Sequence, residues 1–298
     1  MRITQQLLNQ SALNGMQTNL RRVKTLQEQA VTSKKVNRPE DGPFAVEQTL
    51  GFRSRIKASE TARQNIAMSQ DWLNATDKAL GDISDLLTRT RSLALKGASD
   101  TMGPDERQAL ATETEGIIEQ AIAIGNTRHG DHYLFAGFQV DTQPFSRNPA
   151  TGAITSTTYS GDNGQIVREV EPGTDMVINT PGDPLFTDVF NTVISLRDAL
   201  QASPFEASDV ASVAADLETQ LDNVLDVQAA TGTKVRRLEA SSDRMEASEV
   251  GLRELLSESE DADMAEVASQ LNQQQFVYQT ALAVNGQILR TSLLDYLR

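Results

Sequence analysis

The sequence predicts a mainly α fold, an elongated rod of long antiparallel coiled-coil or bundle helices with paired terminal helices and a small inserted antiparallel β domain. Three observations predict this class. Apolar residues recur at heptad spacing over several long segments. Both chain ends carry amphipathic stripes, which need a partner because free termini fray. Aromatic residues make up only 5% of the 298 residues, which favours long helices packed through small and aliphatic side chains.

The two terminal helices are the elements around which this fold is predicted. The first is expected over residues 4–33, and its seam follows the alternating three-and-four step of a coiled coil. That seam consists of Leu13, Met16, Leu20, Val23, Gln27 and Ala30. The last helix is expected from residue 264 to the end of the chain, so we expect the two ends to meet or to dock on another molecule. The predicted assembly interface consists of Leu13, Leu20, Val23, Leu271, Tyr278, Leu282, Leu289 and Leu293.

Two further helices are predicted after the first one. Prolines and a glycine break the chain at residues 34–43, and a long helix over residues 44–99 follows. Its spine is a strict seven-residue repeat of Ile66, Leu73, Leu80, Leu87 and Ala94. A third helix is expected from residue 104 to a stop near residues 125–130, because proline is favoured at a first helical position. The heptad spacing indicates that these helices belong to a bundle.

The composition changes over residues 141–186, which are rich in Gly, Pro, Thr and Asn. Two turns separate three short β-prone runs there, which predicts a small antiparallel sheet or meander. The runs are residues 154–159, 166–170 and 176–178. Helices are predicted again over residues 188–202 and 205–259, and the longer one carries two heptad tracks that begin at Val210 and Ala214.

These elements predict three domains. The terminal-helix coiled coil comprises residues 1–40 and 260–298, the helical bundle rod comprises 41–140 and 187–259, and the outer β insertion comprises 141–186. The layout is nearly symmetric about the insertion, which favours chain ends that lie side by side.

Charge is distributed unevenly along the chain. The net charge is −14, but residues 1–40 hold seven Lys/Arg and two Asp/Glu, a local +5, and the remainder a local −19. A basic amphipathic start is typical of a membrane-surface helix or a transit peptide. It is also typical of one partner in a charge-complementary pair with the acidic residues 254–266. We favour pairing or oligomerisation, because the N-terminal stripe has no Trp or Phe to enter lipid.

Several partners and compartments are disfavoured by the sequence. The net negative charge argues against nucleic acid, and no apolar run is long enough for membrane insertion. Residues 1–10 lack the basic start and apolar block of a secretory signal. The absence of cysteine excludes disulfides and thiol catalysis.

No residue pattern predicts catalysis, so the chain is not expected to be an enzyme. His129 and His132 flank Gly130, which interrupts the helix that would align two rings on a metal, and no third ligand is indicated nearby. No G-x-S-x-G motif surrounds a serine. The Gly232 to Lys234 segment lacks the upstream glycine of a phosphate-binding loop. We therefore predict no catalytic residue, no cofactor and no metal site.

Four stretches resemble the flagellin-like axial proteins of the bacterial flagellum. The start, Met1-Arg-Ile-Thr-Gln-Gln6, is similar to the family's N-terminal helix. The segment Asn37-Arg-Pro-Glu-Asp-Gly-Pro-Phe-Ala45 resembles its breaker, although Gly42 intervenes between the acids and the proline. Tyr133-Leu-Phe-Ala-Gly137 resembles a hinge into an outer domain. The most specific stretch runs from Gln274 to Leu297 and is more similar to the hook–filament junction branch of the family than to flagellin.

The resemblance implies a structural role. The terminal helices are expected to be poorly ordered in the monomer and to form the inner coiled coil on assembly. The expected partners are hook-associated protein 1, flagellin, further copies of the chain in an axial helical assembly, and an export chaperone that binds the C-terminal helix. The chain is expected to leave the cytoplasm through the flagellar type III apparatus without a cleaved signal and to be extracellular. Two alternatives remain, a flagellin filament subunit and a soluble coiled-coil tether or signalling rod.

Overall fold

A computed structural model describes the backbone of residues 2–99 and 102–296, and it confirms a mainly α fold with small antiparallel strand pairs. The helices are α1 (Arg2–Thr32), α2 (Pro43–Gly97), α3 (Pro104–Gly125), α4 (Leu185–Gln201), α5 (Ala207–Glu260) and α6 (Met264–Tyr296). A short 3-10 helix at Pro39–Asp41 follows the break after α1. Each predicted helix is present. Helix α3 ends at Gly125, the first residue of the predicted stop, and the ends of the other helices lie within about three residues of the prediction.

The chain forms two compact units. The smaller unit combines residues 1–57 with residues 248–298, and the larger one comprises residues 58–247. Helices α2 and α5 each contribute to both units, because residues 57 and 248 lie within them. The domain limits predicted from the sequence remain predictions.

The core of the larger unit is built on the predicted heptad repeats. All five spine residues of α2 are at most 2% exposed. On α5, the track that starts at Val210 is buried at Leu217, Val224 and Leu238. Helices α3 and α4 pack on each other, and α4 adds the buried Phe186 and Phe190. Burial at every seventh residue confirms that the heptad pattern marked the core.

Three hairpins form the β-rich part of the chain, and each is a separate two-stranded sheet. They pair β1 (Arg128–His129) with β2 (His132–Tyr133), β3 (Phe145–Asn148) with β4 (Ser156–Tyr159), and β5 (Val167–Glu171) with β6 (Thr174–Val177). The predicted meander is therefore wrong in its pairing. The predicted second and third runs do pair, as β5 and β6, but the first run, β4, pairs with the preceding strand β3 and not with β5.

The reason for the backward pairing lies in how β3 is anchored. Phe145 is buried between Phe186 and Phe190, with ring centroids 5.7 and 5.0 Å away. Asn126, directly after α3, holds the backbone of Phe145 on both sides, since its side chain accepts from the amide at 2.9 Å and donates to the carbonyl at 2.8 Å. Gly125 leaves room for this approach, because a Cβ there would lie 2.8 Å from the Phe145 ring. The core thus fixes β3 as the available edge for β4.

The two histidines take structural positions in the larger unit. The ring of His129 meets Trp72 edge-on, with centroids 6.0 Å apart, and His132 Nδ1 lies 3.0 Å from Asp141 Oδ1. Within the described residues, no cluster of three or more His, Cys, Asp or Glu side chains is placed to hold a metal ion. In the same part of the chain, none of the helices has the length and apolar character needed to cross a bilayer.

Candidate assembly surface on the terminal helices

Helices α1 and α6 pack against each other along the smaller unit, so the two ends of the chain meet as predicted. The amide of Ala262 donates to the carbonyl of Ser33 at 3.0 Å. Further along, Gln274 Nε2 donates to Asn19 Oδ1 at 3.2 Å. Because residue numbers fall on α1 as they rise on α6, the pair is antiparallel.

The seam of α1 differs from the predicted one at three positions. Its buried and half-buried residues follow the heptad Ala12, Met16, Asn19, Val23, Leu26 and Ala30. Val23 is 7% exposed, whereas Leu13 and Leu20 are 51% and 50% exposed. The predicted seam required Gln27 to be buried, while the observed seam buries the adjacent Leu26. The polar residue Gln27 in the predicted seam was the signal that the heptad register of α1 was predicted one residue too far along the chain at that point.

On α6 the seam comprises Val267, Leu271, Gln274, Tyr278, Ala281 and Asn285, which are all buried or half-buried. Leu282 lies off this seam and is 44% exposed. The side chains of Leu289 and Leu293 lie outside the described residues. The predicted interface residues therefore fall into two sets. Val23, Leu271 and Tyr278 lie on the seam within one chain, and Leu13, Leu20 and Leu282 are left available to another molecule.

An apolar groove of about 440 Å³ opens between α1 and α6. Its α1 wall consists of Ala12, Gly15, Met16 and Asn19, and its α6 wall includes Phe276, Val277 and Val284. All three of these α6 side chains are exposed. Sequence reasoning missed them, because they lie off the heptad stripe that faces α1. An exposed apolar surface of this kind marks a site of interaction.

Where the helix pair ends, Glu260 at the end of α5 has a buried carboxylate that connects three segments. The residue is 4% exposed, and it forms ion pairs with Lys34, in the break after α1, and with Arg53 on α2. The backbone carbonyl of Glu260 also accepts from the amide of Lys35 at 2.8 Å, and Lys34 and Asp261 form an isolated β-bridge. We call this arrangement the Glu260 clamp. It was not predicted, since Glu260 looks like any other residue of an acidic run.

The break after α1 is held by a second set of polar contacts. Arg38 donates to both carboxylate oxygens of Glu28 on α1, at 3.2 and 3.1 Å. This bidentate contact raises the pKa of the Arg38 guanidinium, mainly through the negative charge of Glu28. Asn37 Nδ2 donates to the carbonyl of Lys34 at 3.0 Å. The break is therefore an ordered connection between α1 and α2.

Comparison with known proteins identifies the family through both flanks of the chain. Residues 3–139 match the bacterial flagellin N-terminal helical region, and residues 215–297 match the bacterial flagellin C-terminal helical region. The chain belongs to the flagellin-like family. Both matched segments include the terminal helices whose pairing is described above, and the hairpins β3–β4 and β5–β6 lie between the two matches.

Individual relatives place the chain nearer to one branch of this family. It is 25% identical to flagellar hook-associated protein 3 of Escherichia coli, over 80% of this chain and 82% of that protein. It is 20% identical to flagellin of Listeria monocytogenes, over 89% and 88%. The structure of the flagellar junction protein FlgL from Legionella pneumophila shares the fold, with a TM-score of 0.58 and 15% identity over 73% of this chain and all of that one. The chain is a flagellin-like protein of the hook-associated protein 3 type.

Proposed function

We propose that the chain is the structural junction protein that joins the hook of the bacterial flagellum, through hook-associated protein 1, to the flagellin filament. The observation that carries this proposal is the division of the terminal helices into a seam closed within the chain and an apolar flank left open. Leu13, Leu20 and Leu282 are all about half exposed on that flank. Apolar side chains in such number favour burial against a partner.

The relatives support the junction role over that of the filament subunit. One structure with the same fold is described as a flagellar junction protein. Sequence identity to hook-associated protein 3 is also higher than to the Listeria flagellin. A junction needs contacts to two different lattices. Copies of the chain that associate through heterologous contacts form either a ring or an open helical assembly. The expected neighbours are hook-associated protein 1, flagellin and further copies of the chain.

Before assembly, the α6 side chains that line the apolar groove would favour aggregation in the cytoplasm. Phe276, Val277 and Val284 are exposed on one amphipathic helix, which is a suitable ligand for a hydrophobic groove in another protein. We infer that a cytoplasmic export chaperone covers this helix. The chain then leaves through the flagellar type III apparatus and reaches its extracellular position on the flagellum.

Deletion of the gene in the source bacterium tests this function. Electron microscopy of the cells, combined with an assay for flagellin in the medium, is expected to show bare hooks and unassembled flagellin outside the cell. Bare hooks without external flagellin would instead identify the chain as the filament subunit. Intact filaments would contradict any axial role and favour a soluble coiled-coil tether.

A further inference from the structure

A second groove between α1 and α6 is polar and basic. It lies nearer to the break after α1 than the apolar groove does, and has a volume of about 690 Å³. Helix α1 contributes Arg21, Arg22 and Thr25 to it, and α6 contributes three glutamines at positions 270, 273 and 274. Both arginines are exposed. The two guanidinium groups are the main donors that this lining offers to carboxylates, since Gln270, Gln274 and Thr25 already donate to Glu266, Asn19 and the carbonyl of Arg21.

The cations of this basic groove have no acidic partner among the residues that the structure describes. Among the described residues, no carboxylate oxygen lies within 4.0 Å of Arg21 or Arg22, and Arg21 donates only to the hydroxyl of Thr18, at 3.4 Å. Residues 1–27 contain no Asp or Glu, although the chain carries a net charge of −14. The α1 side of this groove is thus basic in an otherwise acidic protein, while on its α6 side Gln270 Nε2 donates to the Glu266 carboxylate at 2.8 Å.

A matching acidic face lies on the last turns of α5, in the same compact unit. Glu254 and Glu258 are both exposed and one helical turn apart, with the exposed Val250 a further turn back. In the part of the chain that the structure describes, neither carboxylate has a cation within 4.0 Å, since Lys35 contacts the backbone carbonyl of Glu258 and not its side chain. Like charges four residues apart destabilise a helix. A cation from outside the chain would relieve this repulsion.

We propose that the acidic face of one copy, formed by Glu254 and Glu258, docks into the basic groove of a second copy. The two faces differ in charge and in position on the chain, so the contact is heterologous and continues from copy to copy. Arginine binds carboxylates through paired hydrogen bonds, which would fix the orientation of neighbouring copies. This contact is the surface through which copies of the proposed junction protein associate, so the inference rests on the proposed function.

Charge reversal in the full-length chain tests the contact. Self-association is measured by sedimentation velocity over a concentration series in 50 mM and 500 mM NaCl. The double variants Arg21→Glu/Arg22→Glu and Glu254→Lys/Glu258→Lys are each expected to associate at least about tenfold more weakly than the wild-type chain in low salt. Mixing the two is expected to restore association, because the acid in one groove meets the lysines of the other copy. High salt is expected to weaken wild-type association.

The control is Arg236→Glu/Arg237→Glu. These residues form an exposed arginine pair on α5 in the larger unit, and Arg236 donates to Thr233 at 3.2 Å as Arg21 does to Thr18. This variant changes the net charge equally and is expected to associate like the wild type. Four results would each overturn the proposal. They are a wild-type chain that stays monomeric, self-association that does not depend on salt, a loss of association in the control as large as in the test variants, and no recovery of association when the two test variants are mixed. If the charge-reversal variants associate like the wild type while the deletion strain shows bare hooks, this contact is refuted and the junction role still holds.

Discussion

Glu260 is the residue on which the order of both chain ends is expected to depend. Its carboxylate is buried against Lys34 and Arg53, at the point where α1 and α6 leave the rest of the smaller unit. Replacing it with alanine is expected to destabilise the terminal pair by about 1–3 kcal/mol, below the usual cost for a buried pair because both cations are partly exposed. Hydrogen exchange should then accelerate in α1 and α6 together, while residues 58–247 keep their protection.

The matched control for this variant is Glu246→Ala, which removes an exposed carboxylate from the same helix. It is expected to leave exchange in both terminal helices unchanged. Faster exchange in α6 alone after the Glu260 substitution would show that the clamp holds only one end of the chain. Equal effects from both variants would show that burial of Glu260 is irrelevant.

The hydrogen bond between Asn19 and Gln274 is expected to set the register of the helix pair. Both residues occupy seam positions, where a polar pair stabilises less than leucine but restricts alternative alignments. Replacing both with leucine is expected to raise the melting temperature of the terminal pair and to lower the efficiency of filament attachment. Circular dichroism melts and a motility assay of complemented cells measure the two effects. Higher stability with full motility would contradict a role in register.

Glu171 ties the hairpin β5–β6 to α5 and gives the larger unit a pH-dependent contact. Hydrogen bonds from Ser241 and Arg244 lower the pKa of the Glu171 carboxyl. Because the folded pKa is lowered, this contact stabilises the fold above pH about 4.5, the ordinary glutamate value, and is lost as the pH falls through the folded pKa.

The substitution Glu171→Gln keeps the acceptor oxygen and removes the charge. It is expected to lower the free energy of unfolding by about 1 kcal/mol or less at pH 7, since Arg244 is largely exposed. The difference from the wild type should shrink as the pH falls below about 4.5 and vanish once the pH is below the folded pKa of Glu171, as followed by urea unfolding. A difference that is independent of pH would mean that the ionised form contributes nothing.

At the scale of elements, the two faces of the terminal pair predict opposite phenotypes. Val23→Asp places a charge in the seam and is expected to separate α1 from α6, at a cost of several kcal/mol. Leu282→Asp changes a half-exposed position and is expected to leave the pair folded but block assembly. Circular dichroism of the purified chain and electron microscopy of complemented cells distinguish the two. Normal filaments with Leu282→Asp would show that the open flank is not an interface.

The long helices could be predicted from the sequence because burial on them is periodic. The spine of α2 is buried at every heptad position, and the breaks around it are marked by Pro and Gly. The seam of α1 could be predicted less well, since Leu13 and Leu20 make its exposed flank as apolar as the seam itself. A helix that contacts partners on two sides has no unique apolar face for the pattern to report.

Contacts between distant segments could not be predicted. Strand β3 contains Arg147 and Asn148, so it lacks the alternation of a strand, and its position depends on Asn126 and the buried phenylalanines around Phe145. The Glu260 clamp depends in the same way on Lys34 and Arg53, which are more than 200 residues away in the chain. The local sequence pattern does not indicate with which of the many acidic residues Lys34 and Arg53 form ion pairs.

At the scale of the whole molecule, the proposed function determines where the chain lies on the flagellum. The chain is a flagellin-like protein of the hook-associated protein 3 type, its terminal helices keep one seam within the chain, and we propose that their open flank contacts neighbours. A junction protein occupies one short zone, because its neighbours on the two sides belong to different lattices. A filament subunit instead occupies the whole length of the filament.

Immunogold electron microscopy with an antibody against the hairpins of the larger unit tests this claim most directly. The junction role predicts gold particles confined to the boundary between hook and filament on intact flagella, with none on the bare hooks of the deletion strain. Particles distributed along the filament would identify a filament subunit. Labelling that is absent from flagella and confined to the cell body would contradict the junction role.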